Sequence, residues 1–584
     1  MASGVPRPEY PRPQWVRTAG QEQAPVERWM NLNGEWEFQE DPDPPRRANG
    51  WPSGKHFSGR IIVPFAPESR LSGIGKTDFM RSVWYRRRFA VPETWAGRRV
   101  WLHFGAVDYE AAVWLNGNAV GWHRGGYTPF ACELTEHLRA GENELVVRAD
   151  DDTRSPLQPS GKQSPKPESY GCMYTRTTGI WQTVWLEPTP PAHLIRARML
   201  PDLDAGRMLV HVSVGGPAAG STVGAVARAD GEQVAAAEAK ASGGLASLWL
   251  EIRYPRSWSP PDPFLYDLEL SLREGEHVVD RVDSYFGLRK VHLEPLAICL
   301  NNRPLFQRLV LDQGFYPDGI YTAPSDEALR RDIEIAKAVG FNGARLHQKV
   351  FEPRFLYWAD RLGYLVWGEF ADWGLDYSHP EALEVMLPQW LEVLQRDLNH
   401  PAIVGWCPFN ETNAKQRPEL LRAIHRVTKA VDPTRPAIDT SGYVHVETEV
   451  DDCHDYEQDP EVFASHFRAF AEGGRPWRSS PEDAPHRGQP FFVSEYGGIW
   501  WNPGQSDEKA WGYGERPKSA EEFSRRYRAL TETLLFHPRM CGFCYTQLYD
   551  VEQEVNGLYT YDRKPKLDPA IFRAVNEQRA AVEE

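Results

Sequence analysis

Ala402-Ile403-Val404-Gly405-Trp406-Cys407-Pro408-Phe409-Asn410-Glu411 is the stretch on which the reading of this chain turns. It reads as a short apolar strand that runs directly into an amide and a carboxylate. Outward from it the same rhythm repeats. Short apolar runs stand near 306–310, 342–346, 364–369, 436–440, 449–453, 490–494 and 541–546. Helical patterns at 326–340, 351–362, 381–398, 418–430, 459–472 and 519–536 fill most of the gaps. The first of these opens with Ser325-Asp326-Glu327, a capping residue and an acidic first turn. Its apolar Leu329, Ile333 and Ala336 recur at i, i+4 and i+7. Eight strands alternating with helices from 292 to 584 predict a (β/α)8 TIM barrel.

In such a barrel the active site lies at the C-terminal ends of the strands. The fourth expected strand delivers Asn410 and Glu411 there. The seventh, Phe491-Phe492-Val493, runs into Ser494-Glu495-Tyr496-Gly497-Gly498. A lone Glu at a strand end more often caps a helix or pairs with an Arg. Two of them, after two apolar strands of one barrel, suit the carboxylate pair of a glycosidase. One must stay protonated to give a proton to the leaving oxygen, and the other must be ionised to attack the anomeric carbon. Strands four and seven face each other across the barrel mouth, which allows the separation of roughly 5–5.5 Å that a retaining mechanism needs.

The first half of the chain lacks this rhythm. Val83-Trp84-Tyr85-Arg86-Arg87-Arg88-Phe89, Arg99–Phe104, Glu144–Ala149 and Val184-Trp185-Leu186 read as strands. Ala111–Leu115 and Asn118–Gly121 form a hairpin across Asn116-Gly117, a pair suited to the positive φ of a tight turn. No helix interrupts them, so 1–190 is expected to be a jelly-roll β-sandwich. After the Pro-rich boundary Glu187-Pro188-Thr189-Pro190-Pro191, residues 191–291 carry a β pattern of immunoglobulin-like size and little candidate chemistry, and are expected to be a spacer.

Composition narrows the function. Lys and Arg number 66 against 81 Asp and Glu, a net charge of −15, which argues against nucleic acid or anionic membrane as a partner. Seven Cys make no disulfide framework, and Cys541-Gly-Phe-Cys544 lies in an apolar run, so both read as core thiols. The stretch from Met1 to Gly20 has no apolar segment of secretory type, and no window is apolar enough to span a bilayer. A cytoplasmic enzyme is expected. The 22 Trp suit sugar stacking and β-sandwich cores equally.

These residues together resemble glycoside hydrolase family 2, the family of β-galactosidases, β-glucuronidases and β-mannosidases. The likeness is carried by Trp84–Phe89, Ala112-Val113-Trp114-Leu115-Asn116-Gly117 and Thr178-Gly179-Ile180-Trp181-Gln182. In the barrel it is carried by Asn342-Gly343-Ala344-Arg345, His400-Pro401-Ala402-Ile403, Trp406–Glu411 and Ser494-Glu495-Tyr496-Gly497. The resemblance implies Glu411 as general acid/base, Glu495 as nucleophile and Asn410 as the amide that bonds the sugar 2-hydroxyl. It further implies that Tyr456 hydrogen-bonds the nucleophile, that His454 contacts the sugar, that Asp312 is a substrate residue and that Arg345 supports the nucleophile. Two departures matter. The family's Arg-x-Ser-His-Tyr-Pro run is here Arg345-Leu346-His347-Gln348-Lys349-Val350, which puts a sugar role for His347 in doubt. Its Asp-Glu on strand three is Gly368-Glu369, leaving Glu369 as a partner for Arg345.

A third departure bears on the sugar. Glucuronidases of the family carry Asn-x-Lys ahead of a Gly-Ile-Phe-Thr-x-Asp-Arg-like segment, and that Lys holds the uronate. Here Glu554-Val555-Asn556 precedes Gly557-Leu558-Tyr559-Thr560-Tyr561-Asp562-Arg563. A carboxylate and an amide suit neutral hydroxyls and disfavour an acidic sugar. The expectation is therefore a retaining exo-glycosidase for a terminal neutral sugar, β-galactoside first, with β-mannoside, α-L-arabinofuranoside and β-galactofuranoside as alternatives. A catalytically dead carbohydrate-binding protein is the alternative of another class. Gln547 after the last strand and Trp500, in the aromatic loop from Trp500 to Gly514, complete the expected site. Glycosides or oligosaccharides are the expected partners, homo-oligomerisation is left open, and no cofactor or metal is implied.

Overall fold

A computed structural model describes residues 4–18, 27–41, 57–502 and 509–583. Residues 1–3 and 19–20 of the Pro- and Arg-rich N-terminal stretch, and 503–508 of the aromatic loop, lie outside the described residues.

The barrel is the element that positions the site. Its ladder strands are β1 (Gln307–Asp312), β2 (Gly343–Leu346), β3 (Leu365–Glu369), β4 (Ile403–Cys407), β5 (Asp451–Asp455), β6 (Phe491–Gly497) and β7 (Met540–Thr546). They pair in parallel in the order β4-β3-β2-β1-β7-β6-β5. Six helices follow the expected pattern closely: α1 (Asp326–Ala338), α2 (Pro353–Leu362), α3 (Glu381–Asp397), α4 (Pro418–Val431), α5 (Pro460–Ala471) and α6 (Ala520–Leu535). Ser325 caps α1 by accepting from Ala328 N, as its sequence predicts. A further helix, α7 (Pro569–Asn576), has only eight residues, too few for its periodicity to stand out.

The expected strand at 436–440 differs. It meets β4 through the isolated parallel bridges Trp406–Ala437 and Asn410–Ser441 and forms no ladder. The reason is chemical. Asp439 Oδ2 accepts from Val446 N and Glu447 N, and Asp452 Oδ2 accepts from Gly442 N and Ser441 Oγ. Within the segment itself Ala437 N donates to Glu449 Oε2 and Thr440 N to Asp439 Oδ1, so carboxylates take up N–H groups there and the barrel closes toward β5 through side chains.

In the first half, a four-stranded and a six-stranded antiparallel sheet enclose a core that includes Trp36, Tyr85, Val113 and Val147. The hairpin Glu110–Leu115/Asn118–Arg124 turns at Asn116 (φ 51°) and Gly117 (φ 86°), both positive as expected. A five-stranded and a three-stranded sheet follow, with strands such as Arg207–Gly215 alternating buried and half-buried positions. One segment crosses the expected boundary at 190. Val16–Thr18 pairs antiparallel with Arg281–Asp283 and so joins the second sandwich.

Most Trp whose placement is decisive serve packing: Trp36, Trp84, Trp181, Trp185, Trp258, Trp367, Trp390 and Trp406 are almost completely buried. Cys541 and Cys544 are buried free thiols within β7, as expected. In the barrel two Trp interlock with glycines. Trp367 pairs with Gly405 and Gly368 with Trp406 across β3 and β4. A Cβ on Gly405 would lie 2.3 Å from the Trp367 ring, and one on Gly368 would lie 2.6 Å from Trp406. Each indole thus occupies the space that its partner's missing side chain leaves. Gly405→Ala is expected to cost about 1–3 kcal/mol through overpacking. The check is earlier loss of near-ultraviolet Trp dichroism on heating; an unchanged melt would show that the indole can move aside.

Candidate active site

β2 carries Arg345 into the barrel interior, where its guanidinium meets three other elements. Nη2 donates to Glu369 Oε2 at the end of β3 (2.7 Å) and to Asn410 Oδ1 beyond β4 (3.0 Å). Nη1 donates to Glu495 Oε1 (3.2 Å) and to Ser494 O (2.8 Å) on β6. Arg345 and Glu369 are buried almost completely, so this is a desolvated pair; both Nη atoms are met by hydrogen bonds, while Nε has no acceptor among the described residues.

Glu495 therefore sits in a positive cage. Tyr456 OH donates to its Oε2, and His454 Nδ1 lies 3.5 Å from the same oxygen. Burial alone would raise the pKa of Glu495, but His454, Arg345 and Lys162 outweigh it and hold it at about 2. His347 lies 3.0 Å from Glu369 Oε1 and 3.9 Å from Glu495 Oε1 and adds to the lowering of Glu495, although burial drives its own pKa well below the ordinary value.

Glu411 lies just past β4 with φ +53°, a left-handed conformation uncommon for a residue with a side chain. Its backbone N–H is held by Ser441 O (2.9 Å), in the side-chain-closed part of the barrel. His454 Nδ1 stands 2.9 Å from Glu411 Oε1. Burial would lower the pKa of His454, but Glu495 and Glu411 more than offset that and raise it. One imidazole thus faces both carboxylates. An oxygen of Glu411, an oxygen of Glu495 and a His454 nitrogen all lie within 4.8 Å of one another. Two carboxylates and a histidine have the composition of a metal site. Here, however, Arg345 and Tyr456 already donate to the two oxygens of Glu495.

Asn410 is fixed through its carbonyl side, by Arg345, and through its N–H, which donates to Asp372 Oδ1 (3.1 Å). Its side-chain Nδ2 is buried and, among the described residues, has no acceptor, an arrangement that leaves a donor for a ligand oxygen. Alongside runs a second polar chain. Gln547 Nε2 donates to Asn556 Oδ1 (2.8 Å), Asn556 Nδ2 to Glu554 Oε1 (3.0 Å), and Tyr174 OH to Glu554 Oε2 (2.6 Å).

Seven of the expected residues, Arg345, Glu369, Asn410, Glu411, His454, Tyr456 and Glu495, thus meet in one network, and Gln547, Glu554 and Asn556 form another. Asp312 stands apart from these contacts. It accepts from Tyr549 OH and Gly314 N, and burial together with Asp332 lifts its pKa to about 6. In the aromatic loop it is Tyr513 that reaches the site, stacked on Tyr456 at 3.6 Å, whereas the Trp500 backbone packs against Gly512. Sequence reasoning missed Tyr443, Trp373 and Lys162. Tyr443 has φ +56°, and the Glu411 charge raises its hydroxyl pKa. Trp373 Nε1 donates to Asn410 O (3.2 Å). Only the run Gly161-Lys162 in a polar loop hinted at Lys162, and without the fold nothing connected it to the barrel.

The sequence matches the sugar binding domain of glycosyl hydrolases family 2 over residues 29–155, the family's second model over 192–289 and its TIM barrel domain over 321–512. A beta-glucuronidase of Paenibacillus borealis is 26% identical over 70% of this chain and 72% of its own length. A beta-galactosidase of Thermoanaerobacter pseudethanolicus is 26% identical over 62% of this chain and 48% of its own. A putative beta-glucuronidase of Formosa agariphila is 26% identical over 60% of this chain, which spans only 33% of that relative. Among solved structures, the b-glucuronidase of Ruminococcus gnavus superimposes with a TM-score of 0.78 at 20% identity, covering 95% of this chain and 99% of that one. The beta-D-glucuronidase of Dictyoglomus thermophilum gives 0.76 at 21% identity, covering 95% and 98%. At that identity the structures speak for the shared fold. Three models of one family, matched in order along a chain that folds as two sandwiches and a barrel, establish that it belongs to glycosyl hydrolase family 2.

Proposed function

We propose that the protein is a retaining exo-glycosidase that releases a terminal neutral sugar, a β-galactoside in the first instance. The observation that carries this reading is the spacing of the two glutamates, whose oxygens lie within 4.8 Å of each other. So close a nearest approach agrees with the carboxyl separation of about 5–5.5 Å of retaining pairs better than with the about 6.5–9.5 Å of inverting ones. The environments differ as the chemistry requires. Glu495 is held ionised by the surrounding cations and can attack the anomeric carbon. Glu411 gives its proton to the departing oxygen. In the second step it takes a proton from water, which attacks the same carbon and releases Glu495. Asn410 Nδ2, without an acceptor among the described residues, is placed to bond the sugar 2-hydroxyl, and Tyr456 and Arg345 orient the nucleophile. His454, between the carboxylates, restrains both.

The neutral glycone is supported by Glu554, a buried carboxylate joined to Asn556 and Gln547. A second reading, a glucuronide, draws on the relatives named beta-glucuronidases. A panel of nitrophenyl glycosides that includes the galactoside, mannoside, arabinofuranoside, galactofuranoside and glucuronide decides between them. No turnover on any of these, with sugar binding retained, would reduce the protein to a binding module.

Two further outcomes test the roles. Glu495→Gln should abolish turnover of every substrate. Glu411→Gln should lose about 10²–10⁴-fold on a poor leaving group yet still release dinitrophenol in the first step, because that aglycone needs no proton. Equal loss in both folded variants on the dinitrophenyl glycoside would refute the assignment. The pH dependence follows from the lowered pKa of Glu495. A depressed carboxyl pKa keeps the nucleophile ionised until the pH falls close to 2. His454→Asn removes a cation that holds it down, so the acid limb of kcat/KM on a dinitrophenyl glycoside should move to higher pH. An unmoved limb would show that His454 does not tune the nucleophile.

A further inference from the structure

The jelly-roll domain places one cation at the barrel mouth, Lys162, whose charge helps to keep Glu495 ionised but whose donors the mechanism above leaves unused. Lys162 is only 5% exposed, yet among the described residues its ammonium makes no hydrogen bond or ion pair. Its Nζ lies 5.3 Å from the Trp373 ring centre and 5.9 Å from that of Tyr174. The polar ends of these two rings bond to the site on either side. Trp373 Nε1 donates to Asn410 O, and Tyr174 OH donates to Glu554 Oε2.

The position is built rather than incidental. Ser160 N and Gly161 N both donate to Trp373 O (2.8 and 3.0 Å), docking the loop onto the barrel segment that follows β3. Gly161 has φ +56°, and a Cβ there would lie 2.2 Å from Gln348 O, so the loop comes as close to the barrel as a backbone can. On the far side of Lys162, Gln163 Nε2 donates to Asp108 Oδ2 (2.7 Å) and its Oε1 accepts from Thr177 N (2.8 Å). The residues flanking Lys162 are thus tied to both domains while its own donors are left over. Burial would lower its pKa, but the charges of Cys172, Glu554, Glu495 and Glu411 raise it instead, so it stays an ammonium facing the site. Its three donors have no protein acceptor among the described residues and so are available to a ligand oxygen.

We propose that Lys162 is a glycone-binding, specificity-determining residue, which donates to a hydroxyl of the terminal sugar while Glu554 accepts from that hydroxyl or its neighbour. Cation and carboxylate together suit a neutral polyol, since a hydroxyl can accept from one and donate to the other. A uronate would gain Lys162 but face Glu554. The site is then assembled from two domains, and the jelly roll supplies part of the sugar selectivity. This rests on the neutral-glycone reading above.

The test uses the full chain and begins with the wild type on the nitrophenyl panel, which identifies the preferred sugar. Lys162→Met is then compared with wild type on that glycoside and on its 2-, 3-, 4- and 6-deoxy analogues, with Lys162→Arg as a charge-retaining variant and melting curves as a fold check. Lys162→Met should lower kcat/KM by about 10- to 100-fold on the parent sugar. The loss should vanish on the one deoxy analogue that lacks the bonded hydroxyl, a pattern that a general structural disturbance would not produce. Lys162→Arg should recover part of the activity. Equal penalties on all analogues, or less than about 3-fold loss on the parent, would overturn the assignment to Lys162. Wild-type preference for the glucuronide would instead overturn the neutral reading itself, whatever the variant does.

Discussion

The buried guanidinium of Arg345 is the constraint on which the site depends. It binds Glu369, Asn410, Ser494 and Glu495, and so joins β2, β3, the segment beyond β4 and β6. A cation placed where water is excluded is stable only if carboxylates and carbonyls satisfy it, and those acceptors are stable only in its presence. The pair therefore adds little net stability, but it fixes geometry. It keeps Glu495 ionised, aims it, and orients Asn410 so that its amide donors face outward. Glu369 binds Nη2 of the guanidinium and so fixes its orientation.

Around that cation the barrel is unusual in one sector. The segment 437–441 pairs with β4 by single bridges, and side chains of Asp439 and Asp452 close the gap toward β5. Glu411, Tyr443 and His454 all project from this sector. Where a ladder is complete, side chains alternate and backbone torsions are uniform. Where it is interrupted, residues can take the positive φ values that Glu411 and Tyr443 show. The irregular part of the sheet is thus the part that lets Glu411 approach Glu495 from the opposite wall.

The sandwich domains do more than flank the barrel. Tyr174 bonds Glu554, Gly161 lies against Gln348, and Arg7 pairs with Glu352. These contacts carry polar groups of the first half of the chain to the mouth formed by the second half. The second sandwich, unlike the first, contributes none of the contacts described at the site.

The sequence by itself determined the barrel, most helix limits, the Asn-Gly hairpin and the two glutamates. Each is a local matter of apolar run length, periodicity, caps and a carboxylate placed directly after a strand. Residues in that class, such as Asn410, Arg345 and Glu369, were legible because short strands bring their ends to one rim. What only the tertiary structure decided depends on contacts between distant segments. Lys162 sits in a polar loop that resembles any surface turn until Gly161 is seen against the barrel. Tyr513 reaches the site by stacking on Tyr456, a contact that nothing in the local pattern of the aromatic loop marks. The missing ladder at 437–441 follows from carboxylates that capture its N–H groups, a competition that apolar patterning does not record. The abundant Trp were ambiguous by composition; packing places eight of them in the interior, two of these, Trp367 and Trp406, in slots that glycines on a neighbouring strand leave open. Burial and partnership are properties of the folded surface, and so the charge state of Glu495 and the unmet donors of Lys162 could be read only there.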